Sequence, residues 1–317
     1  MTKLNTIFFG TPDIAVPFLE RTHELTNLKL VVTQADKPRG RGMEISPCPV
    51  KKRALELGLP VLSPEKLKDS FDEISQISFD VGIVVAYGKI FRPNFIALPK
   101  QGLINVHFSL LPHLRGAAPV QQALIQGYTQ TGVYTFWISE GMDDGPLFLQ
   151  KKLDIDPQDN AQTLFEKLTA LGLTALTETI TQLEHDCAVR LPQQGTPTLA
   201  PMLQKEDALL CPEKLTAEQL HNRVRGLACG PKPKIPFLHQ NQPQWLGVIR
   251  TALAQDNPQA PAGAVAAIER ERGILVKCKE GALWLKEVQP AGKKPMSADA
   301  FANGRGLRPG EIVFVEK

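Results

Sequence analysis

Apolar positions in the first half of the chain fall into short runs, each followed by a segment whose apolar residues recur at helical spacing. The run at 4–9 (LNTIFF) ends in Gly10-Thr11-Pro12, and Asp13 stands where it would cap a helix over 14–23. A second buried strand is predicted at 28–33 (LKLVVT), then a polar stretch rich in Gly and Pro at 34–42, then a helix over 50–57. Residues 80–86 (DVGIVVA) are dense in β-branched side chains and bounded by Tyr87-Gly88, which predicts a central strand. Further strands are predicted at 102–107 (GLINVH), 132–138 and 146–153, with helices over 121–126 and 161–184. Strands separated by helices imply an α/β fold with a doubly wound, Rossmann-like and mostly parallel sheet, covered on both faces.

The pattern then changes. Residues 190–212 are polar and punctuated by Pro and Gly, so a linker is expected there between domains at 1–189 and 213–317. A helix over 216–226 is announced by Thr216 with Gln219 three residues on, a capping box. Short strands follow at 245–253, 263–267, 274–278, 282–288 and 312–315, whose spacing predicts a small OB-like β-barrel.

Composition adds limits. A length of 317 residues suits two domains, and 43% hydrophobic with 22% charged residues is ordinary for a globular protein. No apolar run approaches the roughly 20 residues that span a bilayer, and the first residues lack a signal-peptide pattern. The five cysteines are scattered without CxxC spacing and read as free thiols in a reducing compartment, so a cytoplasmic protein without a membrane partner or metal is expected. From Lys205 onward there are 17 Lys and Arg against 12 Asp and Glu, a net +5, whereas the rest carries −2. That asymmetry fits a C-terminal domain facing a polyanion, and equally a basic surface with no partner.

Three local patterns could carry chemistry. Asn105 and His107 are two apart in a predicted strand and therefore share a face, at the end where open parallel sheets bind ligands. An amide beside an imidazole can polarise a carbonyl and stabilise an oxyanion. Next, Asp143 and Asp144 lie in a tight turn (GMDDGP), and one of them, held beside His107, could accept a proton from an attacking amine. Third, Ser109, Leu110, Leu111 and Pro112 could wall a flat heterocycle. Each piece alone also fits a plain structural role: a satisfied polar pair, a solvated turn, a loop.

Together the pieces spell a family. The run INVHFSLLPHLRGAAPVQQALI, with the later Asp-containing turn, resembles the folate-dependent formyltransferases. The segments FFGTPDIAVPFLE, TQADKPRGRGMEISPCPVKKRALELGLPV, VVAYGKI and QPAGKKPMSADAFANGRG are similar to the branch that formylates methionyl initiator tRNA. The resemblance runs from about Phe8 to Gly306. It implies catalysis by Asn105, His107 and Asp143. It also implies 10-formyltetrahydrofolate as co-substrate against Ser109, Leu110, Leu111, Pro112, Tyr87 and Gly88. Initiator methionyl-tRNA would be the partner, met by Lys37, Arg39 and Arg41 in the DKPRGRG loop, and the protein would act as a monomer. Basic residues on a glycine-punctuated loop suit phosphate contacts, and Lys51, Lys52 and Arg53 follow them.

The chain departs from the family pattern at Phe108, where a small residue is usual and a large ring would narrow the pocket. It departs again in the turn SEGMDDGP and in Cys229-Gly230-Pro231-Lys232-Pro233. The rival readings are an amino-sugar nucleotide formyltransferase, which resembles this chain less in lacking the DKPRGRG insertion, and an idle RNA-binding protein. A generic nucleotide-binding fold is disfavoured, because neither GxGxxG nor a P-loop occurs.

Overall fold

The computed structural model describes residues 3–39, 44–240 and 242–315. The chain divides into two compact units. One comprises Met1–Pro119, Gln130–Asp154 and Phe165–Ala200, and the other Val120–Thr129, Ile155–Leu164 and Pro201–Lys317.

The first unit is built on β1 (Asn5–Gly10), β2 (Asn27–Val32), β5 (Val61–Leu62), β6 (Val81–Val85), β7 (Leu103–His107), β8 (Gln130–Trp137) and β9 (Leu147–Asp154). A two-stranded hairpin, β3 (Lys37–Arg39) with β4 (Glu44–Ser46), lies outside this sheet. The helices of this unit are α1 (Val16–Leu25), α2 (Pro49–Glu56), α3 (Phe71–Ser75), α4 (Pro93–Ile96) and, from Phe165 onward, α6 (Ala161–Glu184), whereas α5 (Pro119–Ile125) from Val120 and the start of α6 belong to the second unit. The strand order is β5-β2-β1-β6-β7-β8-β9. Pairings from β5 to β7 are parallel, and β8 alone runs the other way, antiparallel to both β7 and β9. The chain winds outward from β1 through β2 and β5, then restarts at β6 on the other side. That places a topological switch between the carboxyl ends of β1 and β6, where such sheets bind ligands. Alternating side chains feed the two faces: Ile7 and Phe9 pack with Leu67, Ile74, Phe91 and Phe95, while Phe8 is buried on the opposite face.

Two local expectations are corrected here. Asp13 does not cap a helix. It opens a 3-10 turn (Asp13–Ala15), and α1 follows with Ala15 at its N-cap and no capping side chain. The stretch after β2, read as an open loop, is paired: Lys37 lies opposite Ser46 and Arg39 opposite Glu44. Three-residue strands broken by a proline are too short to register as a period-two pattern.

The second unit carries β10 (Lys234–His239), β11 (Gln242–Leu253), β12 (Val265–Glu269), β13 (Gly273–Lys277), β14 (Ala282–Pro290) and β15 (Met296–Ser297), with α7 (Ala217–Gly226) and α8 (Ala298–Arg305). The antiparallel order is β10-β11-β14-β13-β12, with β15 on β14. Residues 311–314 close it without forming a regular strand. Leu238 donates its backbone N–H to Val313 O at 2.7 Å, Val265 to Glu311 O at 2.8 Å, and Phe314 to Gly263 O at 2.9 Å. The C-terminal segment thus satisfies both edge strands, as barrel closure requires. Its core is Leu220, Val224, Ile235, Phe237, Val248, Val276, Leu285, Phe301 and Phe314.

Thr216 and Gln219 form the predicted capping box, with both reciprocal bonds present. The reading missed β10, whose Pro236 masks the strand pattern and is tolerated because β10 stands at an end of the strand order. It also missed α8, which ends in a left-handed Gly306 (φ 63°). Among the described residues no helix is long and apolar enough to cross a membrane.

Candidate active site

β7 places Asn105 and His107 on one face at its carboxyl end. The His107 ring is 6% exposed and meets Phe136 edge-on at 6.2 Å. Its Nε2 lies 3.1 Å from Leu114 O, a carbonyl that only accepts, so Nε2 carries a proton and donates. Its Nδ1 faces Asp143 Oδ2 at 3.7 Å. Asp143 also accepts the backbone N–H of Gly116 at 2.8 Å, and it holds a left-handed backbone (φ 50°). Asn105 is half-buried, and its amide has no hydrogen-bond partner among the described residues.

The neighbouring carboxylates part company. Asp144 is exposed and bonds Ser139 Oγ, so of the two only Asp143 is held beside the imidazole. The turn that divides them admits no side chain at Gly145, where a Cβ would sit 1.8 Å from Trp137 O.

The loop after β7 turns on itself. Ser109 is fully buried and donates its hydroxyl to His113 O at 2.7 Å. Leu111 packs on Phe136 and Leu147, Leu110 lies against Gly132, and Pro112 is buried. Ser109 and Leu111 therefore offer a ligand backbone rather than side chain. The same holds for Tyr87, which sits 2% exposed between Phe9 and Phe91, where burial pushes its phenol up to about 12. Its carbonyl accepts from Gln34 Nε2 at 2.7 Å, and Gly88 (φ 71°) follows without room for a Cβ beside that amide. The exposed face of this loop belongs to Gly88, Lys89 and Ile90 instead. The Phe108 ring is buried, meeting Phe18 of α1 edge-on at 6.0 Å and lying against Gly172 of α6.

On the hairpin, Lys37 is exposed and bonds Gln34 Oε1 at 3.0 Å, and the Arg39 backbone is paired. Arg41 lies outside the described residues. Of the basic residues that follow, Lys51 is paired with Asp36 at 2.7 Å and Arg53 with Glu20 and Glu56, so their charge is largely met internally.

Sequence reading missed two participants, Arg115 and Gln193. Gln193 lies in the stretch taken for a linker, yet its Nε2 donates to Asp143 O at 2.8 Å and Gly145 O at 3.0 Å. Its Oε1 accepts from Arg115 at 2.6 Å and 3.1 Å. A composition of Gln, Pro and Gly carries no signal of such contacts.

The formyl transferase description matches residues 4–180, and that of the formyl transferase C-terminal domain matches 202–306. The chain belongs to the formyltransferase family. Within it, the similar proteins are methionyl-tRNA formyltransferases. That of Elusimicrobium minutum is 46% identical, over 98% of this chain and 100% of its own. That of Thermodesulfovibrio yellowstonii is 41% identical over 97% and 98%. Among solved structures, the sugar 3N-formyltransferase WlaRD, crystallised with dTDP and 5-N-formyl-THF, shares the fold at a TM-score of 0.65, with 19% identity over 93% of this chain and 100% of that one.

Proposed function

We propose that the chain transfers the formyl group of 10-formyltetrahydrofolate to the α-amino group of methionyl initiator tRNA, in the cytoplasm and as a monomer. The observation that carries this reading is His107 facing Asp143 beside an Asn105 amide that has no partner among the described residues, in a chain matched along its length by proteins named for that activity. Asn105 donates to the oxyanion that forms when the amine attacks the formyl carbon. Among the described residues the amide has no protein partner to give up. His107 donates through Nε2 to Leu114 O and presents Nδ1 to Asp143. Protonated there, it sets a positive charge beside the reacting carbonyl. Asp143 keeps that charge in place and receives the proton lost by the amine. As the new C–N bond forms and the old one breaks, that proton passes to the leaving folate nitrogen.

The backbone of Ser109, Leu110, Leu111 and Pro112 and the loop at Tyr87 and Gly88 would hold the folate. Lys37, Arg39 and Arg41 would meet acceptor-stem phosphates, and residues 213–317 would bind the tRNA body, with 1–189 catalytic and 190–212 joining them. The test is formyl transfer from 10-formyltetrahydrofolate to methionyl initiator tRNA beside methionyl elongator tRNA. Rapid formylation of the initiator alone is expected. Folate binding with turnover only on an amino-sugar nucleotide would overturn the acceptor.

A further inference from the structure

The segment after α6 straps together the two loops that flank His107. Leu191 exchanges both backbone bonds with Leu147, at 2.7 Å and 2.9 Å. Farther on, Thr198 Oγ1 accepts from Leu114 N at 2.9 Å, and Ala200 bonds both Arg115 and Ala118. Between these anchors stands Gln193, whose amide holds two consecutive features of the Asp143 turn while its oxygen is gripped by the Arg115 guanidinium. Asp143 needs such support. A left-handed backbone at a residue with a side chain persists only where surrounding contacts over-determine it. Gly116, the donor to the Asp143 carboxylate, is the residue after Arg115, so both ends of the clamp serve one carboxylate.

We infer that Gln193 is a positioning residue for formyl transfer: bridging Arg115 to the Asp143 and Gly145 carbonyls, it sets the Asp143 carboxylate against His107. The inference rests on the catalytic reading above. Because Gln193 touches no reacting atom, its loss acts on kcat through misplacement, for which an ångström can cost about 10²-fold.

The experiment compares Gln193→Glu, Gln193→Ala, Gln194→Ala and Asp143→Asn with the full chain. Glutamate keeps the shape and the Arg115 pair but cannot donate to the two carbonyls. Gln193→Glu and Gln193→Ala are expected to lower kcat by at least about tenfold, with KM for folate and tRNA within about threefold. The pH profile of kcat is expected to move toward that of Asp143→Asn. The exposed neighbour Gln194→Ala keeps wild-type kinetics. Thermal unfolding and folate binding of each variant report folding directly. If Gln193→Glu is folded, binds folate and keeps kcat within about twofold while Asp143→Asn is impaired, the clamp proposal fails and the catalytic reading stands. If wild type forms no formylmethionyl-tRNA, or Asp143→Asn is fully active, the catalytic reading itself fails. A kcat loss with an unchanged pH profile, or matched by Gln194→Ala, overturns the positioning role.

Discussion

His107 has two ring nitrogens with different neighbours: a carbonyl that can only accept and a carboxylate across a 3.7 Å gap. The carbonyl can only accept, so it meets a donor at Nε2, and the Asp143 carboxylate is the charged group that Nδ1 faces. Asp143→Asn keeps the acceptor for Gly116 but removes the charge. It is expected to lower kcat by about 10²-fold, whereas Asp144→Asn, whose carboxylate turns to Ser139, stays within about twofold. Single-turnover formylation distinguishes them. Asn105→Ala removes an amide with no partner among the described residues, so thermal stability should be unchanged while kcat drops by about 10² to 10³. At this scale the sequence named candidate residues and not how they face. Asn105 and His107 were legible because strand periodicity puts them on one side. The family resemblance pointed to Asp143, but not to the bond that seats its carboxylate, which comes from Gly116, remote in sequence, while Asp144 turns to Ser139 in its own turn.

Elements read well where a rule is local. The Thr216 box needs four consecutive residues and forms as predicted. Thr216→Ala should cost about 1 kcal/mol, read as a lower urea midpoint of the second unit. α7 also carries His221, whose Nδ1 bonds Thr251 Oγ1 at 2.8 Å and which burial, aided by Arg225, pushes down to about 4. An unfolded histidine titrates near 6.5, so between about 6.5 and 4 the unfolded chain binds the extra proton. The His221 contribution is therefore present above about pH 6.5 and lost as pH falls toward 4. His221→Gln should flatten this part of the stability profile, followed by fluorescence of Trp245 and Trp284 during urea unfolding from pH 4 to 7.5. Elements whose evidence is non-local read poorly. The β3–β4 hairpin has three residues a side, Pro236 disguises β10, and residues 312–315 acquire their role only by lying between two edge strands.

At the scale of the molecule, the charge divides unevenly, with +5 from Lys205 onward and −2 elsewhere. Part of the basic stretch after the hairpin is neutralised by Asp36, Glu20 and Glu56, which leaves fewer free cations there than a count of residues suggests. Binding of methionyl initiator tRNA should therefore be salt-dependent but shallowly so. A filter-binding series from about 50 to 200 mM salt is expected to weaken it by roughly tenfold to a hundredfold, fewer decades than for a protein neutralising many phosphates.

Hydrophobic periodicity by itself determined the doubly wound sheet, the second antiparallel domain and the strand end that carries Asn105 and His107, because burial of alternate residues is written locally along the chain. Tertiary structure alone decided how Asp143, to which the family resemblance already pointed, faces His107, that the Tyr87 and Phe108 rings belong to the core, and that Gln193 reaches the site. Each of those is a bond or contact between residues far apart in sequence, fixed by which loops the packed sheet brings together.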